Sequence, residues 1–109
     1  MAVKEAVTAM VEKMNANPEG IVNTNVVYQF DLTGTEAGSF QLKFENGKVE
    51  YLEGVVEEPK CTLQMSDESF LKFAAGNFNP TMAFMTGKLK IEGSMGYAMK
   101  LSSILDNYK

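Results

Sequence analysis

Arginine, histidine and tryptophan are absent from this chain, and cysteine occurs once, as Cys61. Without histidine the commonest general base is missing, and Ser–His and Cys–His nucleophile pairs are excluded. Arginine is the usual bidentate reader of phosphates and base edges, and tryptophan a common stacking platform. Their absence, with a formal net charge of −4, argues against nucleic acid as a partner. A lone cysteine excludes a disulfide within the chain. No apolar run approaches the roughly 18 residues of a membrane span. The three aspartates and eleven glutamates show no metal-ligand spacing, so neither a metal nor a cofactor is expected. "MTGKLK" superficially resembles a phosphate loop. It lacks the glycine five residues before Gly87-Lys88, where Met82 stands, and the Ser or Thr after the lysine. A desolvated lysine or carboxylate could still catalyse, but no second group is placed beside it. No catalytic residue is assigned.

What is present suits a small globular protein. The 109 residues fit one domain, taken as 1–109, large enough to bury a core without staples. The opening "MAVKEAVTAMVEKM" interleaves acids and lysines, unlike a signal peptide. The closing "DNYK" is not a peroxisomal Ser-Lys-Leu address. A cytoplasmic location is expected. Charge is uneven: residues 1–71 hold five Lys against twelve acids, net −7, whereas 72–109 hold five Lys against Glu92 and Asp106, net +3. The C-terminal third is therefore a candidate for transient contact with a membrane surface or a charged ligand tail.

Val3, Val7, Met10, Val11 and Met14 recur at helical spacing and predict an amphipathic helix that stops near Asn15 to Pro18. The period then changes to two. Val26, Tyr28, Phe30 and Leu32 alternate with polar neighbours, as do Phe40, Leu42 and Phe44 after a turn at "GTEAG". Asn46-Gly47 is a two-residue hairpin signal that would pair Phe44 with Val49 and Leu42 with Tyr51. Cys61, Leu63 and Met65 make a fourth strand, with Cys61 on its apolar side as a structural thiol. Ser66 caps a helix carrying Phe70 and Phe73, with Gly76 as its C-terminal stop. Asn79-Pro80 starts a short helix bearing Met82, Phe84 and Met85. "KLKIE" is a fifth strand, and Ser94 caps a last helix reaching about Asn107.

The strands show one apolar and one polar face, so all helices are expected on one side. That is a two-layer α+β domain. The last helix is over-apolar. From Met95 to Tyr108 its apolar positions sweep roughly 220°, although one sheet needs only about 100°. Met82, Met85, Met95 and Met99 fall within eighteen residues. Methionine is flexible and polarizable and suits variable apolar partners. Together these features point to an apolar cavity with a few polar groups, for which Ser102, Thr86, Tyr28 and Tyr51 are candidates.

"CTLQMSDESFLKFAAGNFNPTMAFMTGKLKIEGSMGYAMKLSSIL" resembles the C-terminal half of the sterol carrier protein family of non-specific lipid-transfer domains. "NPTMAFMTGKLKIEGSMGYAMKL" is the most specific part; "YQFDLTG" and "GSFQLKFENGKVE" match the first strands more loosely. The resemblance covers about residues 3 to 106. It implies a five-stranded mixed sheet with helices on one face and an apolar tunnel between. It also implies a sterol, fatty acid, fatty acyl-CoA or phospholipid as ligand, and no catalytic residues. Family members usually have Asp where Ser94 stands, and Ser still caps a helix.

The expected tunnel has Tyr28, Phe30, Phe40 and Leu42 as its floor. Phe70, Phe73, Met82, Phe84 and Met85 are its walls, and Met95, Met99 and Ser102 one side. From the charge asymmetry, Lys88 and Lys90, or Lys72 or Lys100, are candidates for holding a headgroup near a mouth. The alternative is a non-carrier of the same fold with a filled core, serving separately encoded lipid enzymes. The sequence leaves the oligomeric state open.

Overall fold

The computed structural model describes residues 2–108; Met1 and Lys109 lie outside them. Nine elements follow in the expected order: α1 (Ala2–Ala16), β1 (Val26–Thr33), β2 (Gly38–Glu45), β3 (Lys48–Glu53), β4 (Cys61–Ser66), α2 (Asp67–Ala74), α3 (Pro80–Met85), β5 (Lys90–Gly93) and α4 (Met95–Asp106). A short 3-10 turn, Pro18–Gly20, follows α1. The sheet order is β3-β2-β1-β4-β5. Only β1 and β4 run parallel, so the sheet is mixed. The parallel pair needs a crossover, and β2 and β3 supply it as a hairpin that extends the other edge.

The hairpin has the register that its turn dictates: Phe44 faces Val49 and Leu42 faces Tyr51. Asn46 and Gly47 have φ of 53° and 76°. These two adjacent positive values suit the twist of a tight hairpin, and Asn and Gly tolerate them best. Side-chain caps fix three helix starts. Ser66 Oγ accepts from the Ser69 amide (3.1 Å), Asn79 Oδ1 from the Met82 amide (3.1 Å) and Ser94 Oγ from the Gly96 amide (3.1 Å). Helix α2 ends at Gly76, whose φ of 79° lets the chain turn back. The Gly76 amide donates to the Phe73 carbonyl and the Asn77 amide to that of Lys72, the paired closure that favours glycine.

Register places one apolar layer on the sheet. Phe30 sits between Phe40 of β2 and Leu63 of β4, and Tyr28 between Leu42 and Cys61. Helices α1 and α2 lie over this layer together with α4. Phe30 stacks on Phe40 at 5.2 Å, and Phe70 meets both edge-on at 5.2 and 5.3 Å. Phe73 contacts Phe30 on one side and Phe78 on the other. Each buried aromatic or large aliphatic side chain contributes about 1.5–3 kcal/mol of transfer free energy, so this cluster dominates the fold's stability.

Two details depart from the sequence reading. Strand β5 begins at Lys90 instead of Lys88. The Lys88 and Leu89 amides both donate to the Ala83 carbonyl, so these residues close α3 before the strand starts. Leu89 is nonetheless buried. The polar side of the sheet is also less wet than its alternation predicts. Gln41 is fully buried there under the 54–60 loop. Its amide donates to Gln29 Oε1 (3.0 Å) and the Glu57 carbonyl (2.7 Å), and its oxygen accepts from the Val56 and Glu57 amides (3.1 and 3.0 Å). All four bonding positions of this buried amide are thus used.

Candidate functional site

The expected floor lies together on the covered face of the sheet. Tyr28, Phe30, Phe40 and Leu42 are buried there, and Phe70 and Phe73 descend onto them from α2. The ring contacts already described join four of these six side chains, Phe30, Phe40, Phe70 and Phe73, in one layer. Met95 and Ser102 of α4 are half-buried beside it.

The remaining expected wall residues stand elsewhere. Helix α3 turns Pro80 and Ala83 inward. Its large side chains point the other way: Met82 is 63% exposed, Phe84 46% and Met85 79%. Met99 on α4 is exposed beside them and accepts a contact from Thr81 Oγ1 at 3.4 Å. In a helix of six residues, with Pro80 and Ala83 one turn apart on the core side, positions 82 and 85 fall on the other side and 84 on the flank, at about 100° per residue. Met82, Met85 and Met99 are therefore on the surface of the molecule, and of the four methionines from Met82 to Met99, Met95 alone packs against the core.

Tyr28 links the floor to the last helix. Its hydroxyl donates to the Tyr97 carbonyl at 2.7 Å. Burial pushes its ionisation well above the usual phenol range, with smaller contributions from Cys61 and Tyr97. Tyr28 is thus a neutral hydroxyl whose donor is already engaged. Cys61 lies beside it, buried, with its thiol 3.7 Å from the Ser94 carbonyl. Burial raises its pKa too, so it stays a thiol and a poor nucleophile. The single Thr86 hydroxyl, at the C-terminal cap of α3, is directed at the carbonyls of Met82 (3.1 Å) and Ala83 (3.3 Å).

Lys88 and Lys90 do come together. With Lys72 of α2 they line a cleft of about 510 Å3, whose other walls include Thr33, Ser66 and Glu68. Lys72 joins them through tertiary structure, since β4 and α2 carry it to the β5 edge. Three cations against one carboxylate give the cleft a positive potential suited to an anionic head. Most of its lining residues are polar or charged, and it lies next to the C-terminal end of α3, because Gly87 and Lys88, which follow that helix, line it. Among the described residues, no three His, Cys, Asp or Glu side chains gather in a way that could hold a metal ion. No described helix is long and apolar enough to cross a membrane.

The sequence matches the model of the SCP-2 sterol transfer family over residues 7–106. The chain belongs to that family. Lipid binding and transfer is the general function that this SCP-2 membership carries. Among solved structures, the sterol carrier protein domain 2 of Helicoverpa armigera is 32% identical, with a TM-score of 0.76 over 99% of this chain and 88% of that one. The Aedes aegypti sterol carrier protein-2 in complex with palmitate shares the SCP-2 fold at a TM-score of 0.76, covering 100% of this chain and 98% of that one, at 15% identity. Among curated proteins, the hydroxysteroid dehydrogenase-like protein 2 of Xenopus tropicalis is 46% identical over 93 residues, which is 82% of this chain and 22% of that protein. The chain thus spans less than a quarter of that relative's length.

Proposed function

We propose that this SCP-2 domain carries one acyl lipid with an anionic head between its sheet and its helices. Tyr28, Phe30, Phe40, Leu42, Phe70 and Phe73 would contact the apolar body. Met95 and Ser102 would flank it from α4. Met82, Phe84, Met85 and Met99 would form the rim through which it enters, and Lys88 and Lys90 would hold the head at the end of α3. The observation that carries this reading is the light anchoring of α3. A helix that buries only Pro80 and Ala83 and packs chiefly against α4 belongs to the low-stability end of a fold and opens at small cost. Entry beneath it would bury apolar ligand surface at about 25 cal/mol per Å2 before association costs. The palmitate of the Aedes aegypti complex is a ligand of this class. The proposal includes transient contact with a membrane during exchange, and a cytoplasmic location, in which the lone buried Cys61 stays reduced.

A second reading has its own observation. The rings of Phe30, Phe40, Phe70 and Phe73 already meet one another, as they would in a filled core serving as an accessory domain. Organic extraction of freshly purified protein, followed by mass spectrometry, separates the two. The carrier reading expects close to one lipid per chain, or stoichiometric uptake of added fatty acid. Absence of both supports the accessory reading.

A further inference from the structure

The outer surface formed by α3 and the start of α4 is left open by the described residues. Met82, Phe84 and Met85 are exposed on α3, and Tyr97 and Met99 on α4, where Thr81 of α3 meets Met99. A soluble protein tolerates scattered exposed apolar residues, but five large ones gathered on two helices in contact mark a contact surface. Its electrostatic setting names the partner. From Ser69 to Ile91 the chain has no acidic residue, and it places Lys72, Lys88 and Lys90 there. Lys100 follows Met99 on α4. Residues 69–105 together carry four lysines against Glu92, whereas the whole protein is net negative.

A second exposed apolar pair provides the contrast. Val55 and Val56 are each 63% exposed, but they lie among Glu53, Glu57 and Glu58. An anionic surface would attract the first patch and repel the second. Helix α1 offers no rival site, because its apolar side chains Val3, Val7, Met10 and Met14 are buried in the core.

We infer that the α3–α4 face docks on anionic lipid bilayers. Met82, Phe84 and Met85 enter the headgroup boundary, and Lys72, Lys88, Lys90 and Lys100 rest on the charged surface. The inference rests on the carrier reading and adds the surface by which the carrier meets its donor and acceptor. An apolar insertion ringed by lysines is the arrangement that interfacial segments use, and each lysine near an anionic leaflet strengthens it. It would also lay the proposed entry beneath α3 against the membrane.

The test is co-flotation of the intact chain with phosphatidylcholine vesicles, with and without phosphatidylserine. The unmodified protein should float with the mixed vesicles, far less with phosphatidylcholine alone, and detach when NaCl reaches about 0.5 M, where charge attraction reaches only a few Å. Met82→Ser/Phe84→Ser/Met85→Ser and Lys72→Gln/Lys88→Gln/Lys90→Gln should each weaken binding to the mixed vesicles about tenfold or more. Val55→Ser/Val56→Ser should bind like the unmodified protein. If the triple serine variant melts early, Met85→Asp alone carries the test. Serine or aspartate variants that bind undiminished overturn the inference. So does an equal loss in Val55→Ser/Val56→Ser, or a dimer of the unmodified protein that the serine variants abolish, because a second copy would then cover the patch. Lipid extraction from the same samples keeps the two claims apart. Stoichiometric lipid without vesicle binding sinks the docking face alone. Vesicle binding with no lipid retained or taken up sinks the carrier reading alone.

Discussion

Helices α1 and α3 both combine methionines with other apolar residues, and both are amphipathic, yet they use that surface in opposite ways. Helix α1 buries Val3, Val7, Met10 and Met14 between β3 and α2. Helix α3 buries Pro80 and Ala83 and presents Met82, Phe84 and Met85 outward. Length explains much of the difference. Four turns give α1 a stripe that spans the sheet, and Asn15 adds a clamp at its end. The Asn15 amide donates to the Val49 carbonyl at 2.9 Å, and its oxygen accepts from the Val49 amide at 2.9 Å. Six residues give α3 only two inward positions. The first helix is built to stay and the second to be covered by something outside the chain.

The largest effect should come from the α1 side. Met14 is fully buried, so Met14→Ala should cost about 2–5 kcal/mol in urea unfolding. A cost below about 1 kcal/mol would remove α1 from the core and dissolve the contrast. Ala83→Asp attacks the one small anchor of α3. Burying an unpaired carboxylate there should cost about 2–3 kcal/mol, or be escaped by detaching α3. Hydrogen exchange distinguishes these outcomes: protection lost in residues 80–89 with the sheet intact means detachment.

Raising the pH should weaken the fold by a smaller amount. The native state holds the Cys61 and Tyr28 protons above their ordinary ionisation values of 9.0 and 10.0. The unfolded chain releases them first, so stability is complete below about pH 9 and falls above it as unfolded thiols and phenols ionise. Each group steepens that decline by up to about 1.4 kcal/mol per pH unit. In Cys61→Ala the decline should begin about one unit later, near pH 10, as read from urea midpoints across that range. An unchanged onset would mean the thiol is not shielded.

Tyr28→Phe should cost about 1 kcal/mol, because it leaves the Tyr97 carbonyl without its donor and loosens the link between floor and α4. The smallest effect belongs to α3. Met85→Ser should change stability by no more than about 0.5 kcal/mol. A larger loss would show that the outer face of α3 has an internal partner.

The fold was legible because its local signals agreed. Period-two runs, the Asn46-Gly47 turn and caps at Ser66, Asn79 and Ser94 each specify one element with little competition. The strand order beyond the β2–β3 hairpin was not legible, since alternation says which face is buried and not which strand is next to which. The floor of the candidate site was legible for the same reason as the core: Tyr28, Phe30, Phe40 and Leu42 occupy alternate positions on paired strands. The orientation of α3 was not. Apolar residues at 82, 84 and 85 demand cover, but their sequence is silent on whether the sheet or an outside partner provides it. The charge asymmetry named Lys72 and Lys100 beside Lys88 and Lys90, but which of them share one cleft depends on α2 meeting the β4–β5 edge, and Lys72 is the one brought in. The burial of Gln41 follows from the path of the 54–60 loop, which no periodicity encodes.

The most direct measurement places an environment-sensitive NBD label on each helix in turn. Met85→Cys and Thr8→Cys put a thiol on the exposed sides of α3 and α1, with the buried Cys61 left slow to react. On adding phosphatidylserine-containing vesicles, the label at position 85 should shift to the blue and brighten while the label at position 8 stays unchanged. A shift at position 8 with none at position 85 would contradict the account, because α1 would then be the helix that meets lipid.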